Sequence, residues 1–106
     1  MAEGTRGHLD LVLLVAVRTG PAHGYEIIQR IASGSGGELA FPEGTVYPAL
    51  HRLERAGLLE SAWDDSAGRR RRVYAITSDG RKALADERSA WTRFARGMQL
   101  LLGTAR

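Results

Sequence analysis

Cysteine is absent from the chain. That excludes a disulfide scaffold and any thiolate metal site, and it fits a reducing compartment, so a cytoplasmic setting is expected. Lysine occurs once against fourteen arginines, a bias read as genome base composition more than as chemistry. The longest apolar run, Leu11 to Val17, is too short to span a bilayer. The opening residues MAEGTRGHLD carry Glu3 and Asp10 and no cleavage pattern, so neither a secretory leader nor a membrane partner is expected. The three histidines, His8, His23 and His51, lie far apart and offer no metal-ligand spacing. Asp64-Asp65 reads as turn solvation. With no phosphate loop or nucleophile elbow, no enzyme, metal or cofactor is expected.

What remains is 106 residues, 43% hydrophobic and 25% charged, enough for one small domain. The net charge of +3 is local: without Arg69, Arg70, Arg71 and Arg72 it becomes −1. A basic prominence of this kind points to a polyanion partner, with a solvated loop as the bland alternative.

Residues 8 to 18, HLDLVLLVAVR, are apolar almost all round, which calls for burial on every side, by the domain's own core and by another subunit. Gly20-Pro21 ends this helix. In HGYEIIQRIAS, Tyr25, Ile28, Ile31 and Ala32 recur at helical spacing, and Tyr25 is read as core. The SGSGG run from 33 to 37 stops the second helix. A third is expected over 43–57, closed by Gly57 in a left-handed cap. With Thr45 as its N-cap, Pro48 falls in the first turn, where a missing N–H costs least. One face carries Val46, Ala49, Leu50, Leu53 and Ala56. The other carries Tyr47, Pro48, His51, Arg52 and Arg55.

LLESAW and RRVYAIT read as two strands around a polar turn, DDSAGR. Tyr74 and Trp63 are taken to pack within this hairpin. Thr77-Ser78-Asp79-Gly80 then supplies N-cap chemistry for a last helix reaching Leu102. Leu84, Trp91, Phe94, Met98 and Leu101 make a coiled-coil-like seam along it, interrupted by Glu87. The order is therefore mainly α within an α+β class: a winged helix-turn-helix of three helices plus a two-stranded wing (1–77), then a long dimerisation helix (78–106), together one compact unit. In that architecture the second helix of the motif lies in the major groove. The polar face of 43–57 is then turned to DNA and the four arginines sit on the wing, 61–76.

GPAHGYEI (20–27), EGTVYPALHRLERAGLL (43–59), GRRRRVYAIT (68–77) and SDGRKAL (78–84) together resemble the PadR family of bacterial transcriptional regulators, specifically its short PadR-like members. The resemblance runs from about Arg6 to the last helix. It implies a homodimer held by the first and last helices, here Leu9, Val12, Leu13, Ala16, Leu84, Trp91, Phe94, Met98 and Leu101. It also implies repression from a palindromic double-stranded operator. DNA contacts are expected from Thr45, Tyr47, Pro48, His51, Arg52 and Arg55 on the third helix, Arg52 foremost as a guanine or phosphate ligand. About two of Arg69, Arg70, Arg71 and Arg72 are expected to reach phosphates, since alternate strand residues point the same way. In some members a comparable tryptophan stacks flat aromatic molecules between subunits, so Trp91, with Phe94 and Met98, stands either as effector platform or simply as interface. Two departures stand out: Pro42-Glu43 brings a carboxylate to the DNA side, and Arg70 replaces a proline common at the wing tip. The rival reading is a winged-helix protein-interaction module that has lost DNA binding.

Overall fold

The computed structural model describes residues 2–66 and 68–103, with side chains from His8 onward. Met1, Ala67 of the expected turn and residues 104–106 at the end of the expected last unit lie outside the described residues. The elements are α1 (Ala2–Val17), β1 (Ala22–His23), α2 (Gly24–Gly34), α3 (Glu43–Arg55), β2 (Leu59–Asp64), β3 (Arg71–Ile76) and α4 (Ser78–Leu102). The three strands form one antiparallel sheet in the order β1-β3-β2.

The expected two-stranded wing thus gains a third strand. Ala22 and His23 pair with Tyr74 and Val73. A two-residue strand leaves no period to read. It forms because the turn after α1 lays these residues beside β3, whose free edge needs partners for its N–H and C=O groups.

Five helix ends are closed by side chains or glycine, Gly103 at φ +77° ending α4. The His23 imidazole accepts the Glu26 N–H at the start of α2. Thr77 Oγ1 accepts the Gly80 N–H at 2.9 Å and caps α4. Gly57, at φ +81°, turns the chain out of α3, with Leu58 N–H on the Leu53 carbonyl and Gly57 N–H on that of Glu54, the paired bonds of a Schellman closure. Gly36 and Gly37 do the same after α2. α3 starts at Glu43, the first residue of the expected 43–57, but Thr45 is not its N-cap. The Pro42 carbonyl accepts from Thr45 and Val46, so Thr45 is inside the first turn and Pro48 lies within the helix. Pro48 therefore leaves the Gly44 carbonyl without its intrahelical donor, a loss that solvent makes good at an exposed position.

The core joins Leu13, Leu14 and Val17 of α1 to Ile27, Val46, Leu50, Leu53, Leu59, Tyr74 and Leu84. Three residues expected at a subunit interface belong here instead: Leu13 is fully buried, and Ala16 and Leu84 are nearly so. α1 is therefore not uniformly apolar in its surroundings. One face fills the protomer's core, and Leu9, Leu11, Val12 and Val15 remain half-buried. Tyr25 and Ala56, expected inside, are exposed. Each sits at an element end beyond the core's edge. Of α4 only Gly80 and Leu84 are buried, so most of its length runs clear of the core.

Arg30 ties the α1–α2 corner. Its guanidinium donates to the carbonyls of Ala16, Gly20 and Pro21 at 2.9–3.3 Å and pairs with Glu26 at 3.4 Å. It serves the Ala16 carbonyl in the last turn of α1, which has no basic residue of its own there, and two carbonyls of the turn that follows. Arg30→Ala is expected to lower stability by about 2 kcal/mol, because these acceptors lose a charged donor. Chemical denaturation read by circular dichroism measures it.

Candidate nucleic-acid interface

The outer face of α3 follows from its helical period: with Val46, Ala49, Leu50 and Leu53 buried, Glu43, Thr45, Pro48, His51 and Arg55 are exposed. His51 and Arg55 are four residues apart and share one stripe. Arg55 has no ion-pair partner among the described residues. Glu43 holds a carboxylate in the first turn, where the helix dipole favours it.

Two residues expected on this face are engaged elsewhere. The Arg52 guanidinium donates to the Asp10 carboxylate of α1 and is only partly exposed. It fastens α3 to α1. Asp10 lies 42 positions away, so no local pattern pairs the two. Tyr47 is half-buried. Its ring lies so close over Gly24 that a Cβ there would meet it at 2.3 Å. Glycine at 24 is what lets α2 and α3 approach at this point.

On the wing the four arginines divide by pairs. Arg69 and Arg70 precede β3 and are exposed. Arg71 lies opposite Asp64 in the ladder and is partly buried, its Nε without a hydrogen-bond partner among the described residues. Arg72 donates from Nε to Ser61 Oγ at 2.9 Å and lies 3.7 Å from Glu54. Ser61 Oγ donates in turn to Glu54 Oε2 at 2.6 Å. Glu54, Ser61 and Arg72 thus lock the wing to α3. The free pair at the tip is Arg69 with Arg70, not the alternating pair expected for an extended strand, because the ladder starts only at Arg71.

Charge and burial shape the neighbourhood. The Ser66 N–H, 2.9 Å from Asp64 Oδ1, and the Ser66 hydroxyl hold the Asp64 carboxyl below the usual carboxylate range. Tyr74 is buried at the centre of the sheet, as expected. Desolvation pushes its phenol up, and the Glu54 carboxylate adds to that.

Trp63 is the residue that pattern reading missed. It is 52% exposed, not packed in the hairpin, because it stands beyond the end of the core on a strand whose inward residues are Leu59 and Ser61. The guanidinium carbons of Arg70 and Arg72 lie 4.4 and 5.0 Å from its ring centroid. The signal available was the large ring two residues after a serine on the same face.

A second feature lies on another part of the molecule. An open groove of ≈ 840 Å³ runs between α1, the end of α2 and α4, with Leu11, Val12, Val15, Ile31, Leu39 and Trp91 among its walls. Trp91 meets His8 edge-on at 5.5 Å. Phe94 and Met98, expected around the same cavity, lie farther along α4 and do not line this groove. Among the described residues no group of three or more His, Cys, Asp or Glu is placed to hold a metal, and no helix is long and apolar enough to cross a membrane.

Comparison with known proteins places this geometry. The model of the transcriptional regulator PadR-like family matches residues 12–86. The chain is 40% identical over 96 residues to the transcriptional regulator Rv3488 of Mycobacterium tuberculosis, covering 91% of this chain and 87% of that one. Its fold superposes on a PadR family transcriptional regulator from Eggerthella lenta with a TM-score of 0.81 at 32% identity, over 98% of this chain and 89% of the other. It also shares the fold of Bacillus subtilis PadR, solved in complex with operator DNA, with a TM-score of 0.68 at 23% identity, over 74% of this chain and 45% of that one.

Proposed function

The chain belongs to the PadR-like family of transcriptional regulators, proteins that are not enzymes, and within it we propose a sequence-specific, homodimeric DNA-binding repressor. α3 enters the major groove and presents Thr45, Pro48, His51 and Arg55 to base edges and phosphates, while Arg69 and Arg70 reach the neighbouring backbone. Residues up to Thr77 form the DNA-reading part and α4 the dimerisation arm. Two copies joined by a two-fold axis read a palindromic operator. The protein acts in the cytoplasm, and a small aromatic effector seated at Trp91 lowers its affinity for DNA.

The observation that carries this proposal is the division of the basic side chains. Arg52 and Arg72 are paired with carboxylates inside the fold. Arg55, Arg69 and Arg70 are exposed and have no carboxylate partner among the described residues. Arg55 shares the exposed stripe of α3 with His51, and Arg69 and Arg70 stand just ahead of β3 on the wing, a set of unpaired cations suited to a polyanion. The operator-bound Bacillus subtilis PadR shares the fold, which makes the docking mode geometrically available.

Arg55→Ala is expected to weaken operator binding by roughly 10- to 100-fold, the range of about 1–3 kcal/mol for a lost base or phosphate ligand. Arg52→Ala is expected to lower stability more than affinity per folded molecule. Titration of labelled duplex by fluorescence anisotropy, beside thermal melts of both variants, checks the contrast. Equal losses of affinity at equal stability would contradict the assignment of Arg52.

A further inference from the structure

We infer that Trp63 is a positioning residue for DNA binding: its indole holds Arg70 ready for a backbone phosphate while leaving the guanidinium's hydrogen-bond donors free. The inference rests on the DNA-binding function proposed above.

It starts from an exposure that the fold does not require. Leu59, Ser61 and Trp63 alternate onto one face of β2. Leu59 enters the core and Ser61 is bonded to Glu54, but the Trp63 ring stands half in water. A ring that large, left exposed beside an arginine with no carboxylate partner among the described residues, is the informative kind of surface apolar residue.

Its two cationic neighbours differ. Arg72 stands directly opposite in the ladder, and its head group is already held by Ser61 and Glu54. It is a fixed wall. Arg70 has no carboxylate partner among the described residues, and its guanidinium carbon lies 4.4 Å from the indole centroid. A carboxylate would hold Arg70 too, but it would neutralise the charge and occupy the N–H groups. An aromatic ring holds the cation through its π face and occupies none of them. A planar guanidinium held this way keeps its fork for a phosphate, and less side-chain freedom is lost on binding. Because Glu54 belongs to α3, the wing tip is referenced to the helix that reads the groove.

The test measures affinity for a selected operator duplex across a salt series for Trp63→Ala, Trp63→Leu and Trp63→Phe, with and without Arg70→Ala. Trp63→Ala and Trp63→Leu are expected to weaken binding about tenfold. They also flatten the dependence of log affinity on log salt by up to about 2 for a dimer, at roughly 0.9 per phosphate contact. Trp63→Phe, which keeps a π face, restores most of both. In the Arg70→Ala background the Trp63 substitutions add little, since the two residues act as one unit. Trp63→Leu keeps apolar bulk, so recovery by leucine as good as by phenylalanine would overturn the inference. So would a wild-type salt slope in Trp63→Ala, or a loss that adds in full to that of Arg70→Ala. Failure of the unsubstituted protein to bind any duplex is a different result: it removes the proposed function itself, and this inference with it.

Discussion

Gly80→Ala is expected to lower the unfolding midpoint by about 10–15 °C, the shift that ~3 kcal/mol produces in a domain of this size. A Cβ at position 80 would sit 2.1 Å from the Leu58 carbonyl oxygen and 2.7 Å from Ile76 Cγ1. The first of these is backbone, not the far end of a side chain that can swing away. That carbonyl also accepts the Thr77 N–H, and the Thr77 hydroxyl donates to the neighbouring Gly57 carbonyl. The start of α4, the exit from α3 and the edge of the sheet therefore meet at one point without room for a methyl group. Relief requires α4 to back away, which loosens the Thr77 contacts and the seat of Leu84. Gly44→Ala is the natural contrast. Nothing lies within 4 Å of a Cβ there, and alanine in a helix gains up to about 1 kcal/mol over glycine. Melting curves of the two variants should move in opposite directions; parallel shifts would contradict the packing described.

Phe94→Glu is expected to weaken self-association by on the order of a thousandfold while leaving the protomer folded. The outer part of α4 exposes Trp91, Phe94, Met98 and the run Leu100–Leu102, and none of these belongs to the protomer's core. So much apolar surface on one projecting helix is a mark of a contact surface. α1 adds its half-buried Leu9 and Val12. In a two-fold dimer each substitution enters the interface twice. An uncompensated buried carboxylate costs about 3 kcal/mol or more, so a thousandfold corresponds to about 4 kcal/mol and is a restrained figure for two. Operator binding should fall with it, because a single half-site loses the gain of joint binding. Sedimentation equilibrium reads the association, and circular dichroism the fold. An unchanged dimer would move the interface away from α4.

The fold was legible in most places where a signal is local, the start of α3 excepted, where Thr45 read as an N-cap and lies inside the first turn. Gly57 and the SGSGG run marked helix ends, Thr77 marked the start of α4, and alternation placed both long strands. Buried positions at helical spacing, such as Val46, Leu50 and Leu53, also read correctly. What escaped depends on contacts distant in sequence. Arg52 looks like any other cation on the polar face of α3 until Asp10 of α1 is brought against it. Arg72 becomes structural only because Ser61 and Glu54 converge on it. β1 has two residues and no periodicity. Tyr25 and Trp63 carry rings that pattern reading sends inward, whereas the core ends before it reaches either. On α1 and α4 the apolar residues were found but not their assignment: Leu13, Ala16 and Leu84 serve the protomer, and only the tertiary fold separates them from Leu9, Val12 and Phe94. The DNA contacts proposed on α3 and the wing are accordingly a subset of those visible in the sequence, selected by which side chains the fold leaves unpaired, and Trp63 is the one addition that the fold alone reveals.

Selection of bound sequences from random double-stranded DNA with the purified protein tests the central claim most directly. The account predicts enrichment of a two-fold symmetric site, bound at nanomolar concentration by two chains. It also predicts that affinity falls steeply with salt, with a slope that shrinks on Arg69→Ala and Arg70→Ala. Enrichment of no sequence, with weak binding at every salt concentration, would contradict it and turn the exposed face of α3 into a surface for a protein partner.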